Sequence, residues 1–237
     1  MTGDKPPFVP YGADFYKEHP KLCDPKDYWG QVKRSVGGRP VDAAQIQLIV
    51  DAAVGALDVN SDDVLLDICC GNGALTSQVA AGCAGAVGID FSEPLIRVAQ
   101  ADFETDRHRY VLTDALSWLQ APVDPEAFTI ALCYGSLSYL PRAAAEEAIA
   151  NVHRNFPNIR RLFLGNLPNR ETSSEYYADR HEAVGRLDQH DTQIGVWYAP
   201  EEFVRLGENL GWSVEIKFMP DHFFARKYRF DALLHRR

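Results

Sequence analysis

The stretch Val64-Leu65-Leu66-Asp67-Ile68-Cys69-Cys70-Gly71-Asn72-Gly73-Ala74-Leu75-Thr76 runs from an apolar strand, through an acidic tip and a glycine-containing turn, into a helix. A short apolar run bounded by turn residues reads as a buried parallel strand. Gly71 and Gly73 permit a tight turn and let a ligand approach the backbone closely. The helix that follows presents free N–H groups to that ligand. Asp67, at the strand's end, can accept hydrogen bonds from a cationic amine. A dinucleotide fingerprint wants a glycine three residues after Gly73, where this chain has Thr76, which argues against NAD. A phosphate-binding loop would end in Gly-Lys-Ser/Thr, and no such run occurs. The bland alternative is an ordinary strand-to-helix turn in an α/β protein.

The rest of the chain alternates strands and helices around this turn. Ile46, Ile49, Val50, Ala53 and Leu57 recur at helical spacing and predict a helix over 41–57. Strands are predicted at 64–68, 86–90, 110–112, 128–133, 161–165, 212–218 and 228–234. The helices between them fall near 73–81, up to 103, 115–119, 142–156 and 200–210, the last ended by Gly211. Asp90 ends the second strand, 17 residues beyond Gly73. A carboxylate there can accept hydrogen bonds from both hydroxyls of a ribose, or it can cap the helix that follows. Ser92 is a candidate N-cap for that helix. Asp114, after the third strand, has the same two readings.

The fourth strand opens into Tyr134-Gly135-Ser136-Leu137-Ser138-Tyr139-Leu140. In a doubly wound sheet, ligands sit outside the carboxyl ends of the strands near the switch point, which puts Tyr134 and Ser136 nearest the chemistry. Residues 1–10 read as a loose arm. Residues 11–40 are aromatic and charged, with two short helices broken at Pro20 and Pro25 and a hinge-like break at Gly37-Gly38. They suit a cap, and the domain boundaries read as 1–40 for arm and cap and 41–237 for the main domain. The polar and aromatic segment 171–197 is longer than a connection needs and reads as a substrate-side insertion.

The pattern Asp-x-x-x-Gly-x-Gly at 67–73 resembles motif I of the class I S-adenosylmethionine (SAM) dependent methyltransferases. It departs once, with Cys69 where the usual form has its first glycine. Asp90-Phe91-Ser92 and Thr113-Asp114-Ala115 resemble the next two motifs, and the resemblance spans roughly 41–237. It implies a Rossmann-like doubly wound α/β sheet of seven strands, mostly parallel with a closing antiparallel strand, beside the N-terminal helical cap. The short run Tyr228-Arg229-Phe230-Asp231 is similar to methyltransferases of bacterial surface-sugar and natural-product pathways.

The resemblance also implies roles. Asp67, Cys69, Gly71 and Gly73 would hold the methionine end of SAM. Asp90 would hold the ribose, with Ser92 beside it. Phe91, Asp114 and Ala115 would hold the adenine. Cys133 and Tyr134 would line the same site, and Lys33 or Arg34 could pair with the methionine carboxylate. Acceptor-side candidates are Tyr28, Trp29, Ser136, Tyr139, Asn166, Tyr177 and Trp197. A sulfonium methyl is already electrophilic, so no triad is required, and S-adenosylhomocysteine (SAH) would be the product. A base is needed only for a protonated acceptor; His181, His190, His222 and Tyr134 are the candidates, each with a structural alternative. The acceptor is expected to be a small polar or amphipathic molecule, with the N-, O- or C-atom open. A non-catalytic SAM-binding sensor or partner subunit is the main rival. A nucleotide-dependent oxidoreductase and a protein or RNA methyltransferase are weaker ones.

Composition narrows the partners. The net charge of −9 with no basic run disfavours nucleic acid. No apolar run reaches the ~18 residues of a membrane span, and no compact His/Asp/Glu cluster suggests a metal. Five cysteines without ligand spacing read as reduced thiols, which predicts a cytoplasmic protein. The oligomeric state is left open.

Overall fold

Residues 14–36, 39–178 and 186–237 are described by the structure, a computed structural model. Within them the predicted strands and helices assemble as one sheet with helices on both faces. The chain begins with a one-turn helix α1 (Phe15–Glu18), a 3₁₀ turn (His19–Leu22) and a second one-turn helix α2 (Tyr28–Gln31). Pro20 sits at the start of the 3₁₀ turn, where its missing N–H costs nothing, so it continues the turn it was expected to break. Two short strands, β1 (Ser35–Val36) and β2 (Arg39–Pro40), pair antiparallel. The sequence pattern did not indicate this ladder, and the Gly37-Gly38 hinge lies outside the described residues.

Helix α3 (Ala43–Leu57) is capped by the Asp42 side chain, which accepts from Gln45 N. Then follow β3 (Val64–Ile68), α4 (Ala74–Val79), β4 (Gly85–Asp90), α5 (Glu93–Asp102), β5 (His108–Leu112), α6 (Ala115–Gln120), β6 (Ile130–Tyr134) and α7 (Arg142–Asn155). The chain closes with β7 (Arg161–Pro168), α8 (Ser173–Tyr177), α9 (Pro200–Asn209), β8 (Trp212–Lys217) and β9 (Arg229–Arg236). The seven strands run in the order β5-β4-β3-β6-β7-β9-β8. All neighbours pair parallel except β9, which runs antiparallel to both β7 and β8. The order reverses between β3 and β6, so a ligand crevice opens at the carboxyl ends of those two strands. Among the described residues, no helix is long and apolar enough to cross a membrane.

One core lies on each face. Leu66, Ile68, Ala131 and Cys133 face α6, α7 and α9. Leu65, Ile130, Leu132 and Phe163 face α3 and α4. β5 starts two residues earlier than the spacing predicted. β7 runs three residues further, because a register shift between Leu164 and Leu167 lets the strand continue past an irregular step. β6 includes Tyr134, which the sequence placed in the loop.

The glycine turn is tightly packed. Gly73 has φ +77, and a Cβ there would meet the Tyr110 ring at 2.7 Å. Gly73→Ala therefore combines left-handed strain of about 1–2 kcal/mol with overpacking of about 1–3 kcal/mol. A loss of roughly 2–5 kcal/mol in urea unfolding is expected, and an unchanged midpoint would show that the turn relaxes freely.

Candidate cofactor and acceptor site

One cavity of about 390 Å³ occupies the crevice. Its wall begins at Asp114, Ala115, Phe91 and Leu95, passes Asp90, Gly71, Cys69 and Asp67, and ends at Arg34, Trp29, Tyr134, Ser136 and Tyr139. Phe15, Tyr16 and Lys17 of the N-terminal segment, and His190 and Asp191 of the loop after α8, complete it. Three acids at successive strand tips thus meet one space.

Asp67 is 2% exposed, and its Oδ2 accepts from the Thr76 hydroxyl at 2.5 Å. Burial pushes its carboxyl up to about 7, against the pull of the Thr76 hydroxyl and the Arg34 guanidinium. Asp90 is 5% exposed. Its Oδ2 accepts from Gly71 N at 2.9 Å and its Oδ1 from Ser92 N at 2.8 Å. Burial pushes it up to about 6, opposed by these backbone donors. A neutral apolar ligand would leave both acids uncompensated, whereas a cation or hydroxyl donors could satisfy them. Asp114 caps α6 by accepting from Ser117 N at 2.8 Å and also borders the cavity, so its two readings coexist.

Cys69 takes φ +59, the region that favours glycine. The turn has therefore kept the backbone of the first motif glycine without the residue. The Cys69 thiol lines the cavity, and contact with Cys133 and burial push its pKa well up, which keeps it an unreactive thiol. Cys133 is buried beneath the floor and does not line it. Gly73 and Ser92 shape the site from behind. Ser92 occupies the cap position of α5 without capping it, because its hydroxyl donates to Tyr16 O at 2.5 Å.

The cap sorts the remaining candidates. Arg34 stacks on Trp29 and Tyr134, its guanidinium carbon 5.4 and 5.0 Å from their ring centroids. Lys33, in contrast, is exposed with its ammonium over the Phe15 ring, and it is not one of the cavity's lining residues. Tyr28 is a correction: its hydroxyl donates to Asp102 and its ring packs on Phe103, outside the site. Tyr177 and Trp197 are also corrections, since they pack with Tyr176 and brace the segment after β7. Asn166 lies just behind the lining at Gly135. Of the histidines, His190 lines the cavity, whereas His222 is exposed beyond α3, where its carbonyl accepts from Gln45. His181 lies outside the described residues. The His190 loop is held in place: Asp188 pairs with Arg142 and Arg170, and Tyr139 donates to Gln193 O at 2.9 Å.

Two contributors went unread in the sequence. Asn72, inside the turn, donates to Tyr28 O at 2.8 Å and Gln31 Oε1 at 2.9 Å, tying cap to turn. Thr76 did more than exclude NAD, since it orients Asp67. Among the described residues, no group of three or more His, Cys, Asp or Glu side chains could hold a metal ion.

Sheet order, closing antiparallel strands and a crevice rimmed by strand-tip acids define the class I methyltransferase fold. Residues 65–156 match the family described as a methyltransferase domain. The matched stretch is that of a methyltransferase domain, and the fold is shared with SAM-dependent methyltransferases of class I. A Schizosaccharomyces pombe protein described as an uncharacterized methyltransferase is 24% identical over 199 residues, covering 81% of this chain and 73% of that one. Magnesium protoporphyrin IX methyltransferase from Synechocystis PCC 6803, solved with SAH, superposes with a TM-score of 0.68 at 18% identity. That alignment covers 94% of this chain and 97% of the other. The N-methyltransferase NodS from Bradyrhizobium japonicum WM9 gives 0.59 at 17% identity, covering 82% and 98%. These two likenesses are of fold.

Proposed function

We propose that this protein methylates a small polar or amphipathic molecule, with SAM held in the strand-tip cavity and the acceptor enclosed by the N-terminal cap and the His190 loop. The observation that carries the reading is the continuity of one cavity from Asp114 to His190, with the three strand-tip acids and the rings of Phe15, Tyr16, Trp29, Tyr134 and Tyr139 on its wall. Residues 1–40 act as arm and cap on a 41–237 methyltransferase domain, and 171–197 is the acceptor-side insertion. The net charge of −9 favours a small acceptor over RNA.

Asp90 takes the ribose hydroxyls, with Gly71 and Ser92 holding its carboxylate in place. Phe91, Asp114 and Ala115 border the adenine. Asp67, fixed by Thr76, takes the ammonium of the methionine end, and Arg34 takes its carboxylate. When bound, SAM supplies a methyl group made electrophilic by sulfonium. The aromatic wall of Trp29, Tyr134 and Tyr139 excludes water and aligns the acceptor, a contribution worth up to about 7–11 kcal/mol in favourable cases. Trp29, Tyr134 and Tyr139 would hold the acceptor's lone pair in line with the methyl group that bound SAM would supply, leaving SAH as the product. A proton lost by the acceptor goes to His190 or to water.

Calorimetry with SAM, SAH and NAD tests the reading. Micromolar binding of SAM and SAH, with none of NAD, is expected, and Arg34→Ala should weaken SAM by about 10–100-fold, the worth of a charge-assisted pair. NAD binding, or no adenosyl-sulfur ligand bound at all, would sink it.

A further inference from the structure

Among the lining residues that hold no part of the cofactor in the reading above are Tyr16, Tyr139, His190 and Asp191. The fold gathers them. The Tyr16 and Tyr139 rings meet edge to face, their centroids 5.8 Å apart. The Tyr139 hydroxyl donates to Gln193 O at 2.9 Å, two residues past Asp191. Val196 N donates at 2.7 Å to the carbonyl of Ser138, the residue before Tyr139. Gly195 packs so closely there that a Cβ would lie 2.2 Å from Ser138 O, and its φ of +80 favours glycine. Thr192 Oγ1 accepts from Gly195 N at 3.0 Å and closes the turn between. The loop that carries His190 and Asp191 is therefore fastened to the β6 loop that carries Tyr139.

The charge on this part of the wall is negative. Asp191 keeps 49% of its side chain exposed, and Arg186 approaches its carboxylate only to 3.9 Å. The lining cations are engaged elsewhere. Arg34 stacks on Trp29 and Tyr134 and is assigned above to the methionine carboxylate. Lys17 pairs with Asp14 at 3.2 Å and stands over the Phe91 ring, at the adenine end. Arg229 also lies near Tyr139 but is not a lining residue. It is spent on the backbone of β7, where its Nη1 donates to Asn166 O at 2.7 Å and Asp231 Oδ1 accepts from Asn166 N at 2.6 Å. Among the described residues, no lining cation is thus left to answer Asp191. A solvent-reachable carboxylate on the same wall as two phenol rings attracts an organic ammonium, the rings through their quadrupole and the acid through its charge. It repels a carboxylate or a phosphate and offers a neutral alcohol no comparable gain.

We propose that the methyl acceptor is a cationic amine, its ammonium received by the Asp191 carboxylate and the rings of Tyr16 and Tyr139. The inference rests on the SAM reading above and names the acceptor class for the same site. An ammonium that is to be methylated must first lose a proton, its N–H electron pair staying on nitrogen. His190, beside Asp191 on the wall, can accept that proton.

Benzylamine, benzyl alcohol and benzoate share one ring and differ in charge, so they test this without knowledge of the natural acceptor. Each is titrated at about neutral pH into the protein saturated with SAH, with binding followed by ligand-observed NMR. Benzylamine is expected to bind about tenfold or more tightly than benzyl alcohol, the worth of a bond to a charged group, and benzoate more weakly still. Asp191→Asn keeps the shape and removes the charge at an exposed position, so it should fold. It should cut the preference for benzylamine to about threefold or less while leaving SAH affinity within about threefold. The long-range pull of the net charge of −9 does not mimic this loss, because the substitution barely alters that charge. Asp191→Glu, which keeps a carboxylate, should retain most of the preference. Benzyl alcohol or benzoate binding as tightly as benzylamine, an equal preference in wild type and Asp191→Asn, or no binding of benzylamine overturns the proposal. Failure of the wild type to bind SAH at all would instead strike the SAM reading, and this inference with it.

Discussion

Asp90→Ala is expected to raise the dissociation constant for SAM by at least about a hundredfold. The carboxylate is anchored by one backbone donor on each oxygen, Gly71 N and Ser92 N, so its remaining lone pairs face the cavity in a fixed direction. Two charge-assisted bonds to the ribose diol would each contribute about 1.5–3 kcal/mol, which together correspond to roughly 10²–10⁴ in affinity. Alanine forfeits both and also strands two buried N–H groups, at about 1–3 kcal/mol each, so the melting temperature should fall as well. Circular dichroism separates the two effects, since a folded variant with lower stability and lost binding fits the assignment. A folded Asp90→Ala that binds SAM within threefold of wild type would reduce Asp90 to a brace between the turn and α5.

Asp90 and Asp67 could be read from sequence because their placement is a local matter. A buried strand ending in an acid points that acid at the carboxyl edge of the sheet wherever the sheet is parallel. The glycine turn announced its own geometry, and Cys69 then adopted the backbone that its position required. The doubly wound sheet and its antiparallel closing strand followed from the resemblance carried by the three motifs, and the structure adds the strand order.

Side chains of the N-terminal segment reach the cavity, but the sequence did not say which ones would. Tyr28 and Trp29 are neighbours on a one-turn helix, so their side chains diverge by about 100°, and one reaches α5 while the other reaches the cavity. Lys33 and Arg34 follow that helix in an irregular turn, Lys33 at φ +55, where no repeat assigns a direction to either. No periodicity exists in one turn to say which member of each pair faces inward. The histidines of the long loops posed a similar problem, because His190 and His222 are placed by tertiary anchors such as the Asp188 pairs and the Gln45 bond. Nor could sequence show the step at Asn166, since a bulge depends on the partner strand, and Asp231 lies 65 residues away.

Affinity for SAM is expected to fall about a thousandfold between pH 8 and pH 5, from the charge state of these same two acids. In the cofactor-free protein, burial holds Asp67 at about 7 and Asp90 at about 6, both above the ordinary 3.8. In the proposed binding mode, the ionised forms would receive the ammonium and the diol. At pH 5, about a hundredfold of the loss comes from protonated Asp67 and about tenfold from protonated Asp90. Binding should release close to two protons at pH 5 and close to none at pH 8, as read by calorimetry in buffers of different ionisation enthalpy. The linkage to stability has a definite sign. A raised folded pKa gives stability that is full below the unfolded value and lost as pH rises through 6 to 7. For two nearly fully buried groups that loss is on the order of several kcal/mol. The cofactor-free protein should therefore be less stable at pH 8 than these groups alone would make it at pH 4, and SAM should restore the difference by compensating the charge. Asp67→Asn should flatten the affinity profile between pH 6 and 7 while leaving the Asp90 step below it. An affinity constant from pH 5 to 8 without proton release would mean that the acids are already ionised without ligand, and that the cavity compensates their charge by groups other than the cofactor.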